Sequence, residues 1–243
     1  MNRKKDMIMV FPARLCAGLL AVIFLGAIGM RPVLAQDKEY ERVEISIQVL
    51  REIIELPKPE ERMPKWLLGK AEGLAIIPGV IKAAYGIGGE YGKGILMLRG
   101  EDGSWSDPCF IRLAGGSVGW QIGVQRADIV LVFKSRQGVQ NITQGKFTLG
   151  ADASVTAGPV GRSAEASTDL ELKAEIYSYS KSKGLFAGIS IRGASLTIDE
   201  EANRVFYGRE AVSAREILIQ RDVKAPAVVS KLKDLLAEYV RRP

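Results

Sequence analysis

Ser180-Lys181-Ser182-Lys183 is the stretch of this chain that comes nearest to an activated nucleophile. It satisfies Ser-x-x-Lys, in which an amine near a serine takes up the hydroxyl proton. The companion Ser-Asp-Asn and Lys-Thr-Gly triplets are missing, and the stretch reads as a turn between two strands. The chain holds no histidine, which removes Ser-His-Asp and Cys-His catalysis, HExxH zinc sites and histidine-ligated haem. Gly86-Ile87-Gly88-Gly89-Glu90-Tyr91 imitates a dinucleotide loop, but Tyr91 stands where the third glycine belongs. Gly92-Lys93-Gly94 lacks the Ser or Thr that follows the P-loop lysine. Asp152, Glu165, Asp169 and Glu171 lack the spacing of a calcium loop. No cofactor or metal is expected, and the residues point away from an enzyme.

Binding chemistry remains. Lys65, Lys70, Lys82 and Lys93 surround apolar or glycine-rich segments, and Trp66, Leu67 and Leu68 lie among them. Cations beside insertable apolar side chains suit an anionic bilayer, each contributing about 1 kcal/mol near the surface. In the competing reading Trp66 is core and the lysines only solubilise it. Lys65, Trp66, Lys70, Lys82 and Lys93 are the candidate lipid-binding residues.

The formal charge of +6 is unevenly placed: residues 1–35 carry +4 and the remainder +2. The basic balance therefore owes much to the leader and does not indicate a nucleic-acid partner. Residues 1–35 read as a secretory signal peptide, with a positive start, an uncharged run from Leu15 to Met30 and Val33-Leu34-Ala35 before Gln36. The run falls short of the roughly 20 apolar residues that a spanning helix needs. The expected location is thus exported: periplasmic, or peripheral to the envelope. Removal of the leader leaves Cys109 alone, ruling out an intrachain disulfide. Cys109 sits in an apolar run and reads as a buried small hydrophobe.

These residues need a scaffold, and residues 36–243 read as a single domain. Val43, Ile47, Leu50 and Ile54 form one stripe of a helix over 37–56. Val228, Leu232, Leu235 and Tyr239 do the same for a helix over 226–241. A short helix is expected from Pro64 to Glu72, and Gln137 to Gln144 reads as a loop or short helix. Between Gly73 and Gly123 fall 13 of the 26 glycines, mixed with β-branched and aromatic residues. That mixture predicts closely stacked, strongly bent strands. Leu74–Ile77 reads as a short strand closed by Pro78-Gly79, and Gly94–Arg99 and Cys109–Leu113 as a hairpin about Gly100–Gly103. Val118 to Val124 and Leu170 to Ile176 alternate as strands, whereas the unbroken Ile129–Phe133 suits a strand buried on both faces. The apolar phase changes at Arg192-Gly193, which predicts a bulge. Asp199 has the position of an N-cap for a helix ending near Gly208.

Four blocks carry a family resemblance: GLAIIPGVIKAAYGIGGEYGKG, GGSVGWQIGVQRADIVLVF, KFTLGADASVTAGPVGR and YSYSKSKGLFAGISIRGASL. Together, from about Pro64 to Tyr207, they resemble the SYLF domain family, found in bacterial exported proteins and, in eukaryotes, beside SH3 or FYVE modules. The resemblance implies binding of phosphoinositide or other anionic lipid, in some fungal members actin binding, and no enzymatic activity. Actin is an unexpected partner for an exported protein, and no protein partner is identified.

The expected fold is α+β, a mostly antiparallel β-barrel or tight sandwich of six to nine strands covered by N- and C-terminal helices. The leading function is lipid binding at an anionic membrane surface. The alternatives are a soluble carrier, whose glycines leave room for a small hydrophobic ligand, and an envelope scaffold.

Overall fold

The computed structural model describes residues 36–56, 62–159, 174–182, 185–186 and 191–241. The chain separates into two compact units, Met1–Lys38 and Glu39–Pro243. The sheet belongs wholly to the second unit, as do the helices apart from the first residues of α1. That helix covers residues 36–54. It is followed by α2 (Lys65–Gly69), α3 (Arg136–Thr143), α4 (Glu200–Tyr207), a π-helical turn (Glu216–Gln220) and α5 (Val228–Arg241). Seven described strands form one sheet: β1 (Gly73–Leu98), β2 (Cys109–Phe133), β3 (Phe147–Thr148), β4 (Val155–Ala157), β5 (Ile176–Ser182), β6 (Leu185–Phe186) and β7 (Ser195–Ile198). All pairings are antiparallel except β4 with β5. The architecture is α+β, a curled half-barrel with helices from both ends of the chain.

β1 and β2 dominate. They pair from Gly73↔Phe133 to Leu96↔Cys109, so the short strands expected at Leu74–Ile77 and Gly94–Arg99 are two ends of one strand. Pro78-Gly79 does not close it. The register shifts there by one extra residue on β1, Gly79 adopts φ +58°, and the Asp128 carboxylate accepts the Gly79 N–H at 2.7 Å. The bulge keeps one inward face, because Ile77 and Val80 enter the same cluster although their parities differ. A straight strand of 26 residues would run roughly 85 Å, several times the width of so small a domain. This ribbon instead turns back at a second shift, Tyr85↔Ile122 to Gly86↔Gly119, where β2 carries two extra residues.

Both faces of the sheet are packed. Leu74, Ile76, Ile95, Met97, Phe110, Val130, Val132 and Tyr177 face outward into a cluster shared with α1, α2, α4 and α5. Their strand neighbours Ala75, Ile77, Leu96, Leu98, Ile111, Ile129, Leu131 and Phe133 face inward, where Val139, Phe147, Leu196 and Ile217 join them. The unbroken Ile129–Phe133 run is thus buried on both sides, as its composition predicted.

At two positions on β1, glycine serves the fold-back. A Cβ at Gly92 would lie 2.7 Å from Val80 Cγ2, and one at Gly94 would strike the backbone carbonyl of Ile76. At these two positions the space beside the glycine is taken by the ribbon's own other half. At Arg192-Gly193 the expected bulge is a turn preceding β7, in which Ala194 N–H donates to Ile191 O and Gly193 N–H to Leu149 O. Gly193 has φ +86°, so the need for glycine stands although the geometry differs. Of the strand expected over Leu170–Ile176, only its end is described: Ile176 opens β5, and residues 170–173 lie outside the described residues.

Candidate functional site

α2 is a five-residue helix whose Leu67 and Leu68 are 1% and 0% exposed. These two, suited in sequence either to packing on the sheet or to insertion in a bilayer, are core: they anchor the helix beneath α5, where Tyr239 OH donates to Met63 O. Trp66 is half-buried against the same cluster. Lys70 Nζ lies 5.9 Å from the Trp66 ring centre, and Lys65 Nζ lies 5.9 Å from the Tyr239 ring centre. Lys65, Trp66 and Lys70 thus share one anchored helix and its C-cap.

Lys82 and Lys93 lie elsewhere, both on β1. Lys82 faces the inside of the ribbon, where its Nζ is 3.7 Å from Glu90 Oε2. Glu90 stands opposite Gly115, and a Cβ on Gly115 would come within 2.7 Å of its Oε1. Among the described residues its Oε2 has the Lys82 ammonium as its neighbour but no partner within hydrogen-bond distance. Burial raises the Glu90 pKa above its ordinary range, and the Lys82 charge offsets this only in part.

Lys93 faces outward, opposite Arg112 on β2. Both reach Asp199, Lys93 Nζ at 3.3 Å and Arg112 Nη2 at 2.9 Å. Asp199 also accepts the Ala202 N–H as the N-cap of α4, whose C-cap is Gly208 at φ +61°. Burial pushes the Asp199 pKa upward, but the Arg112 bond, the cap bond and the two cations outweigh it and hold the carboxylate below its ordinary range. Beside this group, Arg42 and Glu39 pair at 2.6 Å on α1. Burial raises the Glu39 pKa despite Arg42 and Lys93.

Sequence reasoning missed Asn203. It is fully buried and mimics a strand partner: its Oδ1 accepts Phe110 N–H at 2.8 Å and its Nδ2 donates to Phe110 O at 3.4 Å. Nδ2 also points at Cys109 Sγ, 3.5 Å away. Burial pushes the Cys109 thiol up to about 12, so it holds its proton at neutral pH. An asparagine four residues after an N-cap was the available signal.

A cleft of about 610 Å³ opens between the β1–β2 turn and α5, lined by Arg99, Asp102, Trp105, Arg221, Lys233 and Arg241, among others. Its charges are largely spent on each other. Lys233 pairs with Asp107 at 2.5 Å, and Arg221 reaches Asp102 and Ser104. Arg99 stacks 4.8 Å from the Trp105 ring centre and donates to Leu68 O and Gly69 O. Arg221 follows the π-helical turn at φ +59°. The group clamps the turn of the ribbon to the C-terminal helix.

Among the described residues no three His, Cys, Asp or Glu side chains gather to hold a metal. No described helix is long and apolar enough to cross a membrane.

Among the described residues the exposed large hydrophobic side chains are Ile45, Ile81, Tyr91, Val124 and Val240, three of them on β1 and β2.

The family model described as "Las17-binding protein actin regulator", Ysc84, matches residues 114–239. The chain is 39% identical over 180 residues to Protein YSC84 of Saccharomyces cerevisiae, covering 73% of this chain and 38% of that one. It is 40% identical over 172 residues to LAS seventeen-binding protein 3 of the same yeast, covering 70% and 37%. It is 35% identical over 199 residues to SH3 domain-containing YSC84-like protein 1 of Homo sapiens, covering 80% and 57%. The chain thus spans less than two thirds of these relatives' lengths. The match with the family model covers half the chain, through β2, the Asp199 cap and α5, and the chain belongs to the Ysc84, or SYLF-domain, family.

Proposed function

We propose that this protein is an exported, non-enzymatic domain that binds an anionic membrane surface. The observation that carries this reading is the α2 arrangement. A half-buried tryptophan is held rigidly by Leu67 and Leu68, with Lys65 and Lys70 at the two ends of the same short helix. Indole rings favour the boundary between water and hydrocarbon, and nearby ammonium groups add attraction to anionic lipid. Lys93 adds a half-exposed cation on β1, and Lys82 supports the ribbon through Glu90.

Vesicle sedimentation tests it, with phosphatidylcholine vesicles alone and with phosphatidylserine added. Binding is expected only with the anionic lipid. It should weaken severalfold in the K65Q/K70Q double variant and largely vanish at about 0.5 M salt, where the Debye length is below about 5 Å. Equal indifference of the wild type to both vesicles at low salt overturns the reading.

A second reading has its own support. The family description names Las17 binding and actin regulation, and one yeast relative, found in two strains, is named as a LAS seventeen-binding protein. On that reading the domain docks a protein. The relatives are much longer than this chain, so their named partner has other surfaces to meet. Pull-down from envelope extract in the presence and absence of anionic vesicles separates the two, since a protein partner is retained without lipid.

A further inference from the structure

Asp102-Gly103 is the chain's single Asp-Gly step, and no Asn-Gly step occurs. An aspartyl carboxyl followed by glycine can close on the next backbone nitrogen, because no side chain shields that nitrogen. The step lies in the β1–β2 turn, where the Asp102 side chain is 67% exposed. Gly103 has φ +78°, and nothing lies within 4 Å of its missing Cβ. Solvent and a small ring therefore both have room.

The same turn is clasped against that reaction. Asp102 Oδ1 accepts the Ser104 N–H at 3.1 Å, and the Ser104 hydroxyl lies 2.8 Å from each carboxylate oxygen. The Gly103 N–H donates to Gly100 O at 3.0 Å. Arg221 closes the clasp: its Nη1 donates to Ser104 Oγ at 2.7 Å and reaches Asp102 Oδ1 at 3.4 Å. Its Nη2 donates to Ser104 O at 3.1 Å. Among the described residues Arg221 is the only non-glycine with a positive φ, +59°. That conformation is unfavourable for a residue with a Cβ and persists only where its surroundings hold it. Gly100 completes the fit, since a Cβ there would strike Arg221 Nη2 and come 2.5 Å from Asp102 Oδ1. The Ser104 hydroxyl foremost, then the Ser104 N–H and Arg221, hold the Asp102 pKa below its ordinary value. Ring closure needs the protonated acid, so this too opposes it.

We propose that Asp102-Gly103 is a site of spontaneous isoaspartate formation and that the Arg221 clasp is what suppresses it. In the reaction the Gly103 nitrogen bonds to Asp102 Cγ. The amide proton and the carboxyl OH leave as water, giving a cyclic succinimide. Solvent water then reopens the ring. Attack at the side-chain carbonyl restores aspartate, and attack at the main-chain carbonyl leaves the chain running through Cγ as isoaspartate. One water leaves and one returns, so the mass is unchanged and no oxidant or reductant takes part. Isoaspartate adds one carbon to the main chain of the turn and moves the free carboxylate onto the α-carbon. Ser104 and Arg221 then lose the acceptor that they share. The modification thereby loosens the wall of the cleft that Asp102, Ser104 and Arg221 form.

The test ages protein purified from its native host for weeks at neutral pH. Isoaspartate is measured with protein isoaspartyl methyltransferase and its methyl donor, and located by peptide mapping. Wild type should accumulate it slowly, in the peptide that carries Asp102 and Gly103. R221Q and G100A should accumulate severalfold more there. The first removes the clasp, and the second displaces the Asp102 carboxylate while Arg221 remains. Urea-unfolded wild type should react fastest, and D102E, which cannot form the same ring, should give no signal at this position. Near-UV circular dichroism reports Trp105, which bridges to Arg99 beside the turn, and shows whether each variant keeps the native arrangement. S104A, which removes only a hydroxyl, takes the place of a variant that does not. Folded variants that isomerise no faster than wild type overturn the proposal. So does a wild type that isomerises as fast folded as unfolded, or an unfolded chain that stays unmodified at Asp102.

Discussion

Lys82 and Glu90 are eight residues apart on one β-strand, yet Lys82 Nζ lies 3.7 Å from Glu90 Oε2. Along a straight strand their Cα atoms would be about 27 Å apart. The ion pair joins the two halves of the folded ribbon across its inside, where Val80 meets Gly92. It pins the fold-back of the ribbon.

The pin should be pH-sensitive in a defined direction. Burial raises the folded pKa of Glu90 above the ordinary 4.5, so the folded protein binds more protons than the unfolded chain just above that pH. Stability should therefore fall as pH rises through the window above 4.5. E90Q should flatten part of that fall. Glu39 is shifted in the same direction and should account for part of the remainder. Thermal melts of wild type, E90Q and E39Q across this window check it; parallel curves for wild type and E90Q would show that Glu90 is not desolvated.

Asp199 should behave with the opposite sign. Its folded pKa lies below the ordinary 3.8, so its contribution is present above that value and lost as pH falls through the folded value. D199A removes the cap of α4 and the shared partner of Lys93 and Arg112. The cap contributes about 1 kcal/mol, and each half-exposed cation adds at most about 1 kcal/mol after screening. Urea denaturation should show a loss of about 2 kcal/mol for D199A and less for D199N, which keeps a capping oxygen.

Two glycines should respond to substitution for different reasons. Gly193 has φ +86° and open space around its missing Cβ, so only the backbone resists. G193V should cost more than about 1 kcal/mol and G193A about 1 kcal/mol. At Gly94 a Cβ meets the Ile76 carbonyl and comes 2.8 Å from Ile77 Cα. Because backbone cannot yield as a side-chain tip can, G94A should cost about 3 kcal/mol despite adding one methyl. Equal urea midpoints for G94A and G193A would contradict the fold-back.

Export is tested at the N-terminus. Protein from the native host should begin at Gln36, after Val33-Leu34-Ala35. Edman sequencing of the envelope fraction decides this, and a Met1 start there would mean an uncleaved anchor.

Local periodicity made the helical part legible. Val43, Ile47, Leu50 and Ile54 mark α1, all buried, and Val228, Leu232, Leu235 and Tyr239 mark α5. The Asp199 cap and the Gly208 terminus were readable because capping depends on a side chain within reach of its own helix. The buried strand at Ile129–Phe133 was readable because both of its faces are apolar.

Other features depended on residues remote in sequence. Pro78-Gly79 has the composition of a strand terminator, yet Asp128 on the neighbouring strand satisfies the Gly79 N–H and lets β1 continue. Leu67 and Leu68 look equally suited to a bilayer and to a core, and the α5 contact decides for the core. The glycines of β1 announced a close approach without saying of what; the answer, β1 against itself, comes from register shifts at Ile77/Val80 and Tyr85/Gly86. The sequence by itself determined which segments pair with water and which avoid it, because that depends on each residue's own chemistry. Only the tertiary structure decided that Lys82 meets Glu90, because bending a long ribbon depends on contacts that each half makes with the other.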